Sequence, residues 1–505
     1  MTKFYSLYRR GFGRAALVLM LICTLCLFTT IPAGAQNIFR QLSQDSFSGG
    51  QGQHMTEVEP GAYAYGPTIV TAFQVARIYG GGGMDIGFAT SINGGIAWTN
   101  GYLPGLTEWY ESNGSTNSAA SDASVAYDLK HNQWLICTLP IGSNYLVAVS
   151  SSSNGLQWNN PVYVTTSIYS DKNWINCDNT PSSPYYGNCY VEFDSPGDGD
   201  LIFMSTSSDG GQTWSTPVTT DGDDYGIGGN IEALPNGTAV VAIANFNGGM
   251  SAFTSTNGGQ SWNAAISISS APSHGEDGGL RSLGLPSTAI DGGGTMHVSW
   301  PDCRYESGCS ANDIVFSTST DGVNWGPVTR VASDPIGSGV DHFLPGMGID
   351  PNTSGSTAHI GLTYYYYPVS NCGDSCTLYA GWTQSSDGGV TWTVARQLSP
   401  GMQLSWLPQT YSGYMVGDYF STVFSGPRAF PIYMIAFQPN NGVYQQAAFT
   451  EGYGFPFQSG QGQVLSSKDD KPIPDFNSYV RPREFYDQDE QVPVQPGKTT
   501  PPDKK

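Results

Sequence analysis

Ser207-Ser-Asp-Gly-Gly-Gln-Thr-Trp214 decides how this chain is read, because five relatives of it recur along the sequence. They are Ser91-Ile-Asn-Gly-Gly-Ile-Ala-Trp98, Ser152-Ser-Asn-Gly-Leu-Gln-Trp158, Ser255-Thr-Asn-Gly-Gly-Gln-Ser-Trp262, Ser319-Thr-Asp-Gly-Val-Asn-Trp325 and Ser385-Ser-Asp-Gly-Gly-Val-Thr-Trp392. The copies return about every 60 residues, a spacing that signals a repeat architecture. Each lies between two apolar runs, where a hairpin turn belongs. The Asp or Asn side chain accepts hydrogen bonds from backbone N–H groups just beyond it. Gly supplies the positive φ of the turn, and Ser and Thr close it with local bonds. The Trp then brings a large apolar surface back onto the sheet.

A second repeat lies inside the first. Ser124-Val-Ala-Tyr-Asp128, Trp174-Ile-Asn-Cys-Asp178, Ser287-Thr-Ala-Ile-Asp291 and Gly346-Met-Gly-Ile-Asp350 read as inner strands ending in Asp before a turn. Ile231-Glu-Ala-Leu-Pro-Asn236 is a looser relative. A second apolar strand follows each, a third runs into the Ser-Asp-Gly turn, and the Trp opens a fourth. Four short antiparallel strands per repeat make the blade of a β-propeller. After Trp392 another strand set follows, at 418–424, 429–437 and 444–449, and counts as a seventh blade without the turn.

The turn motif is the Asp box, and the chain resembles the Asp-box (bacterial neuraminidase repeat) family of sialidase-like β-propellers. The resemblance covers nearly the whole chain after residue 35. It implies an all-β propeller of four-stranded antiparallel blades. Seven are expected here, with Asp boxes in six; six blades, the number in enzymatic sialidases, is the alternative. It also implies that the boxes sit on the outer rim, away from any ligand. Closure is expected from pairing of the first and last blades, or from a strand borrowed between the termini.

Residues 1–35 read as an export signal: Lys3, Arg9, Arg10 and Arg14, then the apolar run Ala15 to Phe28, then Ala33-Gly34-Ala35. Residues 36–54 are a lead-in, 55–460 the propeller, and 461–505 a Pro-rich charged tail without an apolar face. Losing four positive charges with the leader takes the formal charge from −21 to −25. Such a surface repels nucleic acid and anionic membrane. Of nine cysteines, seven follow the leader. Cys177 with Cys189, Cys303 with Cys309, and Cys372 with Cys376 are close enough in sequence for three local disulfides, leaving Cys137 over. That usage fits a secreted, periplasmic or cell-surface location.

Ligands of a propeller meet the axial mouth, just before the inner strands. There the sequence offers Glu57, Glu59, Asp122, Asp171, Lys172, Asn230, Glu232, Arg281, Asp341, His342, Asp418 and Tyr419. Close carboxylates raise one another's pKa, so one can serve as a general acid. The bland alternative is that these groups satisfy strand ends. Carried over from the resemblance, sialidase chemistry needs three arginines on one carboxylate, an Asp acid/base and a Tyr–Glu nucleophile pair. Asp122 is then the acid/base, Tyr419 with Glu232 the nucleophile pair, and Arg281 the carboxylate grip. Asp171, Lys172, Asp341, His342 and Asp418 are assigned to substrate binding, and Trp406 to a sugar-stacking wall. The family's first arginine motif is matched only in two positions of Phe39-Arg40-Gln41-Leu42, and Arg77, Arg304 and Arg428 fall near strand ends or turns. No residue is assigned to a metal. Ca²⁺ stays open at Asp194, Asp198 and Asp200 and at Asp221, Asp223 and Asp224, although solvated acidic turns are preferred there.

Two functions therefore compete. One is an exported sialidase-like glycoside hydrolase acting on extracellular glycans. The other is a non-catalytic propeller binding glycan or protein at the same mouth. Convergence of three arginines beside a Tyr–carboxylate pair favours the first, and their scatter the second.

Overall fold

The computed structural model describes residues 39–457 and the backbone of 464–466. The export signal, part of the lead-in and nearly all of the tail lie outside the described residues. Within them the chain is all-β, built of antiparallel sheets, with five short 3₁₀ turns as its only helical pieces. Val, Ile, Tyr and Phe fill the strands, and Gly, Asn and Asp fill the turns between them, as pleated packing and tight reversal require.

Seven strand sets follow in sequence, each starting with the strand that packs on its neighbours' first strands. Those inner strands are Glu57–Tyr65, Ala119–Asp128, Asp171–Cys177, Gly226–Ala233, Ser287–Ile290, Asp341–Ile349 and Ser421–Ser425. Each contacts the next, and the seventh contacts the first. The approach is close enough to demand glycine. A Cβ at Gly61 would strike the Ala123 carbonyl, and one at Gly348 the Thr422 carbonyl. Most sets carry four strands, as the pattern predicts. The third departs: Asp171–Cys177, Cys189–Ser195 and Leu201–Ser207 form three, and only two isolated bridges, Met204 to Val218 and Leu201 to Tyr225, stand where a fourth is expected. The fourth strand of the seventh set comes from the other end of the chain, where Phe39–Gln41 pairs with Gln446–Glu451. A strand at Val464–Ser466 pairs with Thr391–Thr393.

All six Ser-Asp/Asn-Gly turns share one hydrogen-bond pattern. In the 207–214 copy, Ser207 Oγ donates to Asp209 Oδ1 (2.8 Å) and accepts from the Gly211 N–H (3.0 Å), while the Thr213 N–H donates to Asp209 Oδ1 (3.0 Å). The shortened copy at 152–158 keeps the arrangement, with Gly155 N–H on Ser152 Oγ and Gln157 N–H on Asn154 Oδ1. Trp158, Trp262 and Trp392 are buried, and Trp98, Trp214 and Trp325 half-buried, each beside its own turn. The three expected disulfides form, and Cys137 is free and buried.

A break in register recurs near the start of the inner strands. It falls between Val58 and Gly61, Ser121 and Ser124, Asp171 and Trp174, Ile227 and Asn230, and Phe343 and Gly346. The residue at the break is left-handed: Glu59 (φ 56°), Asp122 (48°), Lys172 (46°), Gly228 (66°) and Leu344 (52°). Gly284 (66°) and Gly417 (146°) lead into the remaining two strands. A bulge of this kind re-aims a side chain at a cost of about 1–3 kcal/mol for a non-glycine residue. Three of the four non-glycine positions carry charge, and all three point to one place.

Candidate functional site

That place is a buried ion cluster. Lys172 Nζ lies 2.7 Å from Asp418 Oδ2, 3.2 Å from Asp122 Oδ1 and 3.4 Å from Glu59 Oε1. Arg281 grips Asp418 bidentately, through Nε to Oδ1 (2.8 Å) and Nη2 to Oδ2. Gln74 donates to Glu59, and Asn173 to the Asp122 carbonyl (3.0 Å). None of the five charged residues is more than 4% exposed. Burial drives the Glu59 carboxyl well above its ordinary value; Lys172 opposes that, and Asp122 and Asp418 reinforce it. Burial would also raise Asp418, but the Arg281 and Lys172 charges overcome it and hold that carboxyl low. Burial works against the Lys172 ammonium, yet Asp122, Asp418 and Glu59 together raise its pKa well above normal. The cluster thus ties the first, second and third inner strands to the segments leading into the fifth and seventh.

The segment before the seventh inner strand lies over this end. Tyr414 and Gly279 exchange backbone bonds with their neighbours (Tyr414 N–H to Gly279 O and Arg281 N–H to Tyr414 O, both 2.8 Å), and Gln409 pairs with Gln53. Trp406 sits half-buried in the 3₁₀ turn Leu404–Trp406, packed on core residues of that segment.

On the other side of the cluster a cavity of about 180 Å³ is lined by residues of all seven inner strands. Tyr63, Trp174, Asn176, Asn230, Glu232 and Thr288 supply its polar and aromatic wall. Glu232 Oε1 accepts from Thr288 Oγ1 (3.0 Å) and Oε2 from Asn176 Nδ2 (3.2 Å). Burial lifts its carboxyl to about 7 despite those two bonds. Tyr419 lies between cavity and cluster. Its ring meets Trp174 edge-on at 5.3 Å and its hydroxyl reaches the Ala123 carbonyl (3.4 Å). Burial, then the charge of Glu59, raises the Tyr419 phenol well above its usual range.

The sequence candidates therefore separate. Asp122, Lys172, Arg281 and Asp418 come together, with Glu59. Asp171 lies opposite Asp194 on the third inner strand and accepts the Lys172 N–H (2.8 Å). Tyr419 and Glu232 share no hydrogen bond among the described residues. Asp341 and His342 sit elsewhere, on the His274 ring and the Asn312 backbone. The arginines scatter. Arg77 bonds the Gly82 carbonyl and Met415, Arg304 clamps Asp302 beside the Cys303–Cys309 bridge, and Arg428 caps the carbonyls of Tyr453 and Gly454. Asp194, expected in a solvated turn, is instead on a strand, wholly buried, with neither oxygen hydrogen-bonded. Sequence reading passed over Glu192, equally buried beside it; its place two residues before Asp194 on an apolar strand was the available signal.

No protein-family model matches this chain, and no curated protein sequence matches it. Similar solved structures include the intramolecular trans-sialidase of Ruminococcus gnavus (13% identity, 66% of this chain, 94% of that one, TM-score 0.43). Another is the leech intramolecular trans-sialidase (11%, 73% and 71%, 0.44). A third is a protein of unknown function from Dyadobacter fermentans (14%, 69% and 99%, 0.44).

Proposed function

We propose that the chain is an exported seven-bladed Asp-box propeller that binds a neutral sugar of an extracellular glycan in its axial cavity, without cleaving it. The observation that carries this reading is the cavity wall. It holds one carboxyl, Glu232, and no arginine or lysine. Glycoside cleavage by paired carboxylates needs a second acid across the ring, and gripping an anionic sugar needs a guanidinium. The cationic groups nearest the axis, Lys172 and Arg281, are already committed to Asp418. What remains suits a sugar hydroxyl face: Asn176, Asn230, Glu232 and Thr288 for hydrogen bonds and Trp174 for stacking. The unbroken succession of inner-strand contacts supports the seven-bladed ring, and three disulfides suit an oxidising compartment.

The Glu232 carboxyl, poised near 7, is the one feature favouring hydrolysis. A glycan array and a panel of fluorogenic glycosides, sialosides included, separate the two. Binding reduced ~10-fold or more by Glu232→Gln, with no turnover by either protein, is the expected result. Turnover abolished by that same substitution would establish the hydrolase instead.

A further inference from the structure

Away from the axis, Asp313, Asp334 and His342 bring one ligand atom each within 4.8 Å of one another. Asp313 and His342 are 2% exposed, and Asp334 stands at the edge of the group, in contact with solvent. They come from three elements: the strand Asp313–Ser319, the 331–340 connection, and the sixth inner strand. The His342 ring is oriented from behind. Its Nδ1 faces the Asn312 carbonyl at 3.1 Å, an acceptor only, so Nδ1 carries the proton. In the neutral ring Nε2 is then a bare lone pair, and it faces another acceptor, Asp334 Oδ1, at 4.0 Å. Asp313 Oδ2, buried in the same group, has no hydrogen-bond partner. Arg330 spans the other side, with Nη2 at 2.7 Å from Asp313 Oδ1 and 2.9 Å from Asp334 Oδ1. Glu306 closes the set, accepting the Gly337 N–H (2.9 Å) close to both aspartates. Three carboxyl groups and one imidazole face a single guanidinium in a mostly buried space. Acceptors turned toward one another, with Asp313 Oδ2 left unpaired, suit a divalent cation.

We propose that His342 Nε2, Asp313 Oδ2 and Asp334 bind a divalent first-row transition metal of the zinc class, with solvent at the remaining position. One imidazole and two carboxylates suit such an ion better than Ca²⁺, which prefers all-oxygen shells. Bonds of about 2.0–2.2 Å put tetrahedral ligands roughly 3.4 Å apart, so closure from the present spacing asks for shifts of ~1 Å. The Asn312 carbonyl on Nδ1 is the outer partner that a ligating histidine needs. The bound ion would pin the 331–340 connection against two strands.

The test uses the full-length exported protein, stripped with chelator and dialysed against Zn²⁺ or Co²⁺. Expected are about one metal per chain by elemental analysis, a Co²⁺ visible spectrum of low-coordinate N/O ligation, and a Tm raised by ~2 °C or more. His342→Gln and Asp313→Asn should each weaken Zn²⁺ binding ~10-fold or more. The wild-type spectrum is read independently of how the variants fold. Substoichiometric metal in the wild type, a Co²⁺ spectrum of the hexa-aquo ion, or equal binding by a folded His342→Gln protein would overturn the proposal.

Discussion

Glu232 shows how much one buried group can report. Its folded-state carboxyl lies near 7 and its ordinary value is 4.5, so the native state holds a proton that the unfolded chain has already released. The resulting stability is complete below about pH 4.5 and is lost as pH rises toward 7. Each unit of difference is worth about 1.4 kcal/mol, which gives ~3 kcal/mol for this side chain. Glu232→Gln should therefore leave the denaturation midpoint nearly unchanged at pH 4.5 and raise stability by ~2–3 kcal/mol at pH 8. Parallel denaturant titrations at the two pH values measure it. Equal differences at both would mean that the carboxyl titrates normally in the fold.

At the level of the element, the six turns divide their labour between a polar latch and an apolar anchor. The Asp209 carboxylate takes four local hydrogen bonds but is solvent-facing, so Asp209→Ala should cost only ~1 kcal/mol, like the loss of a helix cap. Trp392 is wholly buried, and Trp392→Ala should cost ~3–5 kcal/mol. Thermal unfolding of both variants distinguishes them, and an equal cost would contradict this division. These turns were legible because everything they need lies within eight residues. The disulfides were legible for the same reason, with partners 4, 6 and 12 residues apart. The missing fourth strand of the third set was not legible, since Thr213-Trp214 announces it as well as the other copies do. Its absence is a matter of pairing with the strand at Leu201–Ser207.

Across the whole molecule, the ion cluster escaped the sequence because its members are remote. Lys172 meets Glu59 across 113 residues and Asp418 across 246. Charge type and position before an inner strand marked Asp122, Lys172, Arg281 and Asp418 as candidates for substrate. Only the fold reveals that they neutralise one another. Removing the shared anion takes the bidentate carboxylate from Arg281 and the nearest of three from Lys172, so Asp418→Asn should cost ~3–5 kcal/mol. Equilibrium denaturation in guanidinium, with far-UV circular dichroism to verify the native baseline, checks it. A loss under ~1 kcal/mol would mean that the cluster is no clamp.

The pairing of Phe39–Gln41 with Gln446–Glu451 also governs the order of events during synthesis. The earliest described strand has no backbone partner until the last set has left the ribosome, so a nascent or C-terminally clipped chain carries two unpaired edges at once. Such edges recruit strands from other molecules, and a chain of this design must be shielded until its two ends meet.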